Sequence, residues 1–138
     1  MRWLVSLISD NGMRFSEGAG LLKSDIQLDS DTLYVRIQKH AWRNFKTASS
    51  ERIIPLCGQA LWAAARLSGS DPTSQFAFPR YNRHEMTKAN SASPALNKWL
   101  KQYVPIGCTT HSFRHSMRDR LRSLQCPSDI ADQIGGWT

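Results

Sequence analysis

The stretch THSFRHSMRDRLRSL, residues 110–124, sets Phe113, Met117, Leu121 and Leu124 at helical spacing, with Arg114, Arg118 and Arg122 one step round the same helix. The apolar stripe needs a core to cover it, and the basic stripe beside it needs solvent or an anionic partner. In the same stretch His111 and His115 stand one helical turn apart, with Arg114 between them. Two histidines so spaced could hold a metal, but the glutamate of an HExxH arrangement is missing and no third ligand is evident. The reading is therefore metal-free and cofactor-free.

Outward from this helix, Pro127 to Ile134 reads as a last helix closed by Gly135-Gly136. On the N-terminal side, Ser93-Pro94 reads as a helix start, with Leu96, Trp99, Leu100 and Tyr103 as its core stripe. Phe76 to Pro79 reads as an irregular link, and Leu61, Ala64, Ala65 and Leu67 mark the apolar side of an earlier helix. Ile26–Leu28, the Asp29-Ser30-Asp31 turn and Leu33–Ile37 form a predicted hairpin, and Arg52–Pro55 a third strand. Residues 2–9 read as a helix stopped at Asn11-Gly12, after which Arg14 opens a short helix running to about Leu22. The expected fold class is α+β and mainly helical, a small three-stranded antiparallel sheet packed against a helical bundle. One domain spans residues 1–138, because this length fits a single core.

Eighteen Lys and Arg against eleven Asp and Glu give a net charge of +7 and a pI of about 9.8, which points to a polyanionic partner. Arg36, Lys39, Arg43, Lys46 and Arg52 form a basic run against one acid, Glu51, and make a second basic surface beside Arg114, Arg118 and Arg122. Two such surfaces on a small domain suit a phosphate backbone. Most aromatics fall on apolar stripes, which disfavours a stacking platform for single-stranded RNA, and the five Trp suggest a well-filled core. Cys57, Cys108 and Cys126 form no CxxC pair, so neither a disulfide framework nor a zinc knuckle is indicated and a reducing cytoplasm fits. Trp3 to Ile8 is far shorter than the roughly 20 residues a membrane span needs.

In order, these pieces resemble the catalytic domain of the tyrosine recombinase, or phage integrase, family. Asn11-Gly12-Met13-Arg14-Phe15-Ser16-Glu17 is similar to the family's first box, which implies that Arg14 binds the scissile phosphate and Glu17 holds the box in place. Phe45-Lys46-Thr47 followed by Ser50 to Leu56 resembles the hairpin whose lysine is the general acid; Lys46 is the candidate ahead of Lys39. His111 to His115 resembles the HxxR box, implying catalytic His111 and Arg114 with His115 supporting. Ile134-Gly135-Gly136-Trp137 resembles the box in which tryptophan can stand for a histidine, so Trp137 would donate its indole N–H to the phosphate.

The chemistry that the resemblance implies suits these residues. Attack of a phenol on a phosphodiester builds charge on the non-bridging oxygens, which two always-charged guanidiniums can meet without a metal. Lys46 would protonate the leaving 5′ oxygen and His111 would take the phenolic proton. The family's nucleophilic tyrosine follows the last box by two to three helical turns, and Tyr34, Tyr81 and Tyr103 all precede the HxxR box. The expectation is a catalytic domain cut short before its nucleophile and lacking the N-terminal clamp domain, inactive alone and monomeric, from a bacterial cytoplasmic protein that works as a tetramer on double-stranded DNA away from any membrane. Arg36, Lys39, Arg43, Arg52, Arg118 and Arg122 are the expected DNA-facing residues. The alternative is a non-cutting DNA-binding fragment or decayed remnant.

Overall fold

The computed structural model describes residues 2–42, 50–83, 86–87 and 89–137. The expected architecture is the one found: six α-helices and a three-stranded antiparallel sheet among the described residues. Helix α1 (Arg2–Ser9) buries Leu4, Leu7 and Ile8 on one side and ends at Gly12, whose φ of 68° lets its N–H return to the Ile8 carbonyl at 3.1 Å. A β-carbon on Gly12 would meet Met117 at 3.0 Å, so this turn is also pressed against the fifth helix. Helix α2 (Phe15–Ala19) stops earlier than the expected Leu22. Leu21 is fully buried and exchanges backbone contact with Ala77, while Leu22 bridges Phe76, so these residues serve an extended pairing in place of another helical turn.

Strands β1 (Ile26–Gln27), β2 (Tyr34–Ile37) and β3 (Arg52–Pro55) pair in sequence order, with Val35 opposite both Ile26 and Ile54. Val35, Ile37 and Ile54 face the core, and Arg36 and Ile53 lie opposite each other on the exposed face. Helix α3 (Gly58–Ser68) crosses α1 through Ala60, Ala63, Ala64 and Leu67. Its buried stripe begins one residue before the expected Leu61, which leaves Ala65 exposed. Asp10 caps α3, its Oδ2 accepting the Gln59 N–H at 2.7 Å.

A short ribbon, β4 (Asn82–Arg83) with β5 (Met86–Thr87), was not expected. Asn82 pins it by donating to the carbonyls of Ala19 and Phe78 at 2.8 and 2.9 Å. Helix α4 (Ala89–Leu100) starts before the expected Ser93-Pro94, so Pro94 lies inside it and removes one hydrogen bond from its second turn. Leu96 and Leu100 are buried, but Tyr103 falls past the helix end and is 67% exposed, so it does not extend the stripe. Helix α5 (Thr110–Ser123) covers the expected span, with Phe113, Met117 and Leu121 partly buried. Leu124 is the C-cap, where the chain turns away through Gln125, and it is 78% exposed rather than buried. Helix α6 (Ser128–Gly135) ends at Gly136 in the left-handed conformation, φ 63°.

The fully buried core is aliphatic. Trp99 packs against the core while Trp3 and Trp62 lie at the surface, where the Trp62 indole carries the Arg66 guanidinium at 5.6 Å. Among the described residues no helix is long and apolar enough to cross a membrane.

Candidate active site

Arg14 occupies the N-cap position of α2 with extended backbone, so its side chain leaves the helix start sideways. Its own backbone N–H donates to Glu17 Oε2 at 2.8 Å, and its Nη1 reaches Glu17 Oε1 and Ser50 Oγ, each at 3.2 Å. The Arg14 side chain remains 26% exposed while that of Glu17 is 3% exposed, so the carboxylate is the buried anchor and the guanidinium the open end. Arg52 completes the anchor with a bidentate pair onto Glu17, Nη1 to Oε1 at 3.0 Å and Nη2 to Oε2 at 2.9 Å. Burial by itself raises the Glu17 pKa. The Arg52 hydrogen bond and charge, then the Arg14 backbone N–H and charge, outweigh it and hold the carboxyl below its ordinary 4.5.

Arg114, from the second turn of α5, enters the same region from the other side. It is 3% exposed and donates to the Gly12 carbonyl at 3.0 Å and the Gly136 carbonyl at 3.3 Å. Its pKa is lowered to about 10, first because of burial and then because of the Arg14 charge, with Arg52 and Arg118 adding and Glu17 opposing. Arg14 and Arg114, expected to converge from distant parts of the chain, are thus close enough for one charge to be felt by the other. The guanidinium stays charged at neutral pH inside a region where positive charge outnumbers negative.

Trp137 closes this region. Its ring carries the guanidiniums of Arg114 at 5.0 Å and Arg118 at 5.2 Å. Arg118, half-exposed, also reaches Asp132 at 3.7 Å. The indole lies so close over Gly135 that a β-carbon there would clash with its Cδ2, Cε3 and Cζ3 atoms. Gly135→Ala should therefore expel the indole from both arginines and lower stability by roughly 1–3 kcal/mol, read as a fall in the denaturation midpoint. An unchanged midpoint would mean that the indole does not rest on Gly135.

The remaining candidates are distributed unevenly. His111 and His115 lie exposed on the first turns of α5, ring centroids 5.0 Å apart and edge to face. Arg36 and Lys39 are exposed and line a depression of about 270 Å³ with Glu51 and Ile53, beside the sheet. Arg122 is exposed and sits 3.9 Å from Asp119. Lys46 and Arg43 lie outside the described residues.

Arg52 departs from expectation. It was grouped with surface residues facing DNA, yet its side chain is 4% exposed and its N–H groups go to Glu17, the Ser50 carbonyl at 2.8 Å and the Ile134 carbonyl at 2.8 Å. Strand alternation carried the signal: Arg52 lies two residues before inward-facing Ile54 and pairs with buried Ile37. Sequence reasoning also missed Ser50, a buried serine holding Arg14, and Asp25, a buried carboxylate at 2.6 Å from Gln38 Nε2 and 2.9 Å from His40 Nε2. Among the described residues no three His, Cys, Asp or Glu side chains gather as a metal site would require.

The comparisons with known proteins follow this geometry. The integrase of the Tn1549 transposon, in complex with circular intermediate DNA, superposes with a TM-score of 0.66 at 20% identity, over 99% of this chain and 49% of that one. The XerH site-specific recombinase, bound to its difH substrate in a pre-cleavage complex, gives 0.68 at 15% identity, over 98% of this chain and 38% of that one. The likeness is one of fold, and the chain spans about half of the first and 38% of the second. No curated protein matches the chain in sequence. Residues 1–138 do match the phage integrase family along their whole length, and the chain belongs to that family.

Proposed function

We propose that this chain provides the phosphate-activating part of a site-specific DNA recombinase that breaks and rejoins strands of double-stranded DNA through a 3′-phosphotyrosyl intermediate. The observation that carries the proposal is the convergence of Arg14 and Arg114 on one region with excess positive charge, closed by Trp137. In this reading the two guanidiniums grip the non-bridging oxygens as charge builds on them, and the indole N–H adds a donor. A phenol oxygen attacks phosphorus, its proton passes to His111, and the 5′ oxygen leaves with a proton from Lys46. Glu17 fixes Arg14, and His115 flanks the site. Arg36, Lys39, Arg43, Arg118 and Arg122 neutralise the flanking backbone without reading sequence. The circular intermediate DNA held by the Tn1549 integrase supports DNA as the partner.

The test is covalent capture. The protein expressed from its native reading frame is incubated with a duplex nicked near its attachment sequence and resolved on a denaturing gel. A 3′-linked protein–DNA adduct is expected. Duplex binding with no adduct would overturn the recombinase reading and leave a non-cutting DNA-binding protein.

A further inference from the structure

Arg52 is too deeply placed to serve as a backbone contact, yet it touches the segment that holds Arg14 and the one that leads to Trp137. Its fork fixes both oxygens of Glu17, which in turn accepts the backbone N–H and Nη1 of Arg14. Its Nη1 also donates to the carbonyl of Ser50, whose hydroxyl lies 3.2 Å from Arg14 Nη1. Its Nε donates to the carbonyl of Ile134, one residue before the glycine beneath Trp137 and two before the carbonyl that accepts Arg114 Nη2.

We propose that Arg52 is a positioning residue for strand cleavage, setting the separation between the Arg14 half of the site and the Arg114–Trp137 half; this rests on the recombinase reading above. One planar group does this because its two terminal nitrogens face a carboxylate while Nε points to a separate carbonyl. A lysine brings one nitrogen and loses the fixed fork that meets both Glu17 oxygens while Nε meets Ile134. The effect is on geometry rather than on encounter with DNA: a site displaced by about 1 Å can lose on the order of a hundredfold in rate while the surface cations that govern affinity are untouched.

Arg52→Lys and Arg52→Gln, in the protein from its native reading frame, separate these effects when capture is timed at saturating nicked duplex below each variant's melting temperature. Expected are duplex affinity within about twofold, an unchanged salt dependence, and capture slowed at least about thirtyfold in both variants. Arg52→Lys capturing within about threefold of the unaltered rate would overturn the inference. So would a salt slope reduced by about 0.9, which marks a lost phosphate contact. If either variant melts below the assay temperature, Glu17→Asp retains the buried pair but shortens it by one methylene. Capture by it should slow with the salt slope unchanged, and capture at the unaltered rate would again overturn the inference. Arg114→Ala serves as control: if it captures normally, or the unaltered protein captures nothing, the recombinase reading fails and this inference with it. If Arg114→Ala fails while Arg52→Lys succeeds, only this inference falls.

Discussion

Arg114→Ala is expected to slow covalent capture of nicked duplex by at least about 10³-fold while leaving duplex affinity within about tenfold. The guanidinium is buried against two carbonyls and beside Arg14, a place where its charge is disfavoured when nothing anionic is bound. Lowering its pKa to about 10 from the ordinary arginine value corresponds to on the order of 3 kcal/mol against the charged form. In the proposed reaction an arriving phosphate would relieve that penalty and the developing charge of the transition state would relieve it further, so the loss should fall on rate. Affinity persists because exposed cations such as Arg36, Lys39 and Arg122 lie outside this enclosed region.

The sign of the pH effect follows. The unfolded chain binds the Arg114 proton more tightly than the folded one, so this group adds stability only as pH rises above about 10. Between pH 5 and 9, roughly, Arg114 is charged in both states and contributes no slope. Capture in that window should therefore show no titration of Arg114. Arg114→Ala capturing within about tenfold of the unaltered rate would remove this arginine from the chemistry.

How much of this was legible in the sequence depended on whether a feature was local. Caps and stripes are local: Gly12, the Arg52–Pro55 strand and the α5 span follow from patterns a few residues long. The roles that the resemblance implies for Arg14 and Arg114 require the two to converge, and the Arg14 charge does act on Arg114. Arg36 alternates with buried Val35 and Ile37 and Arg52 shares the phase of buried Ile54, so alternation separates the exposed cation from the buried one, and the β2–β3 register places Arg52 opposite Ile37. Leu124 and Tyr103 continued their stripes in pattern while the helices ended beneath them, since helical spacing does not say where a neighbour stops. Ser50 had no signal at all, because a serine becomes a ligand for arginine only through a contact 36 residues away in sequence.

Glu17→Leu should lower the unfolding free energy by about 3–5 kcal/mol at neutral pH, a large share of the 5–15 kcal/mol typical of a domain. Among the described residues the carboxylate is the one acid set among Arg14, Arg52 and Arg114, and without it the 4%-exposed Arg52 keeps its charge with only carbonyl partners. An aliphatic side chain of similar size fills the space but cannot answer that charge. The pH dependence identifies the cause. Folding holds the Glu17 pKa below 4.5, so its contribution is complete above about that value and is lost as pH falls through the lowered one. Denaturation curves for the unaltered protein and Glu17→Leu should lie furthest apart above pH 4.5 and converge in acid, where both carry an uncharged side chain at this position. A constant gap across the whole range would point to packing instead of charge, and a gap under about 1 kcal/mol would mean that Arg52 does not depend on this carboxylate.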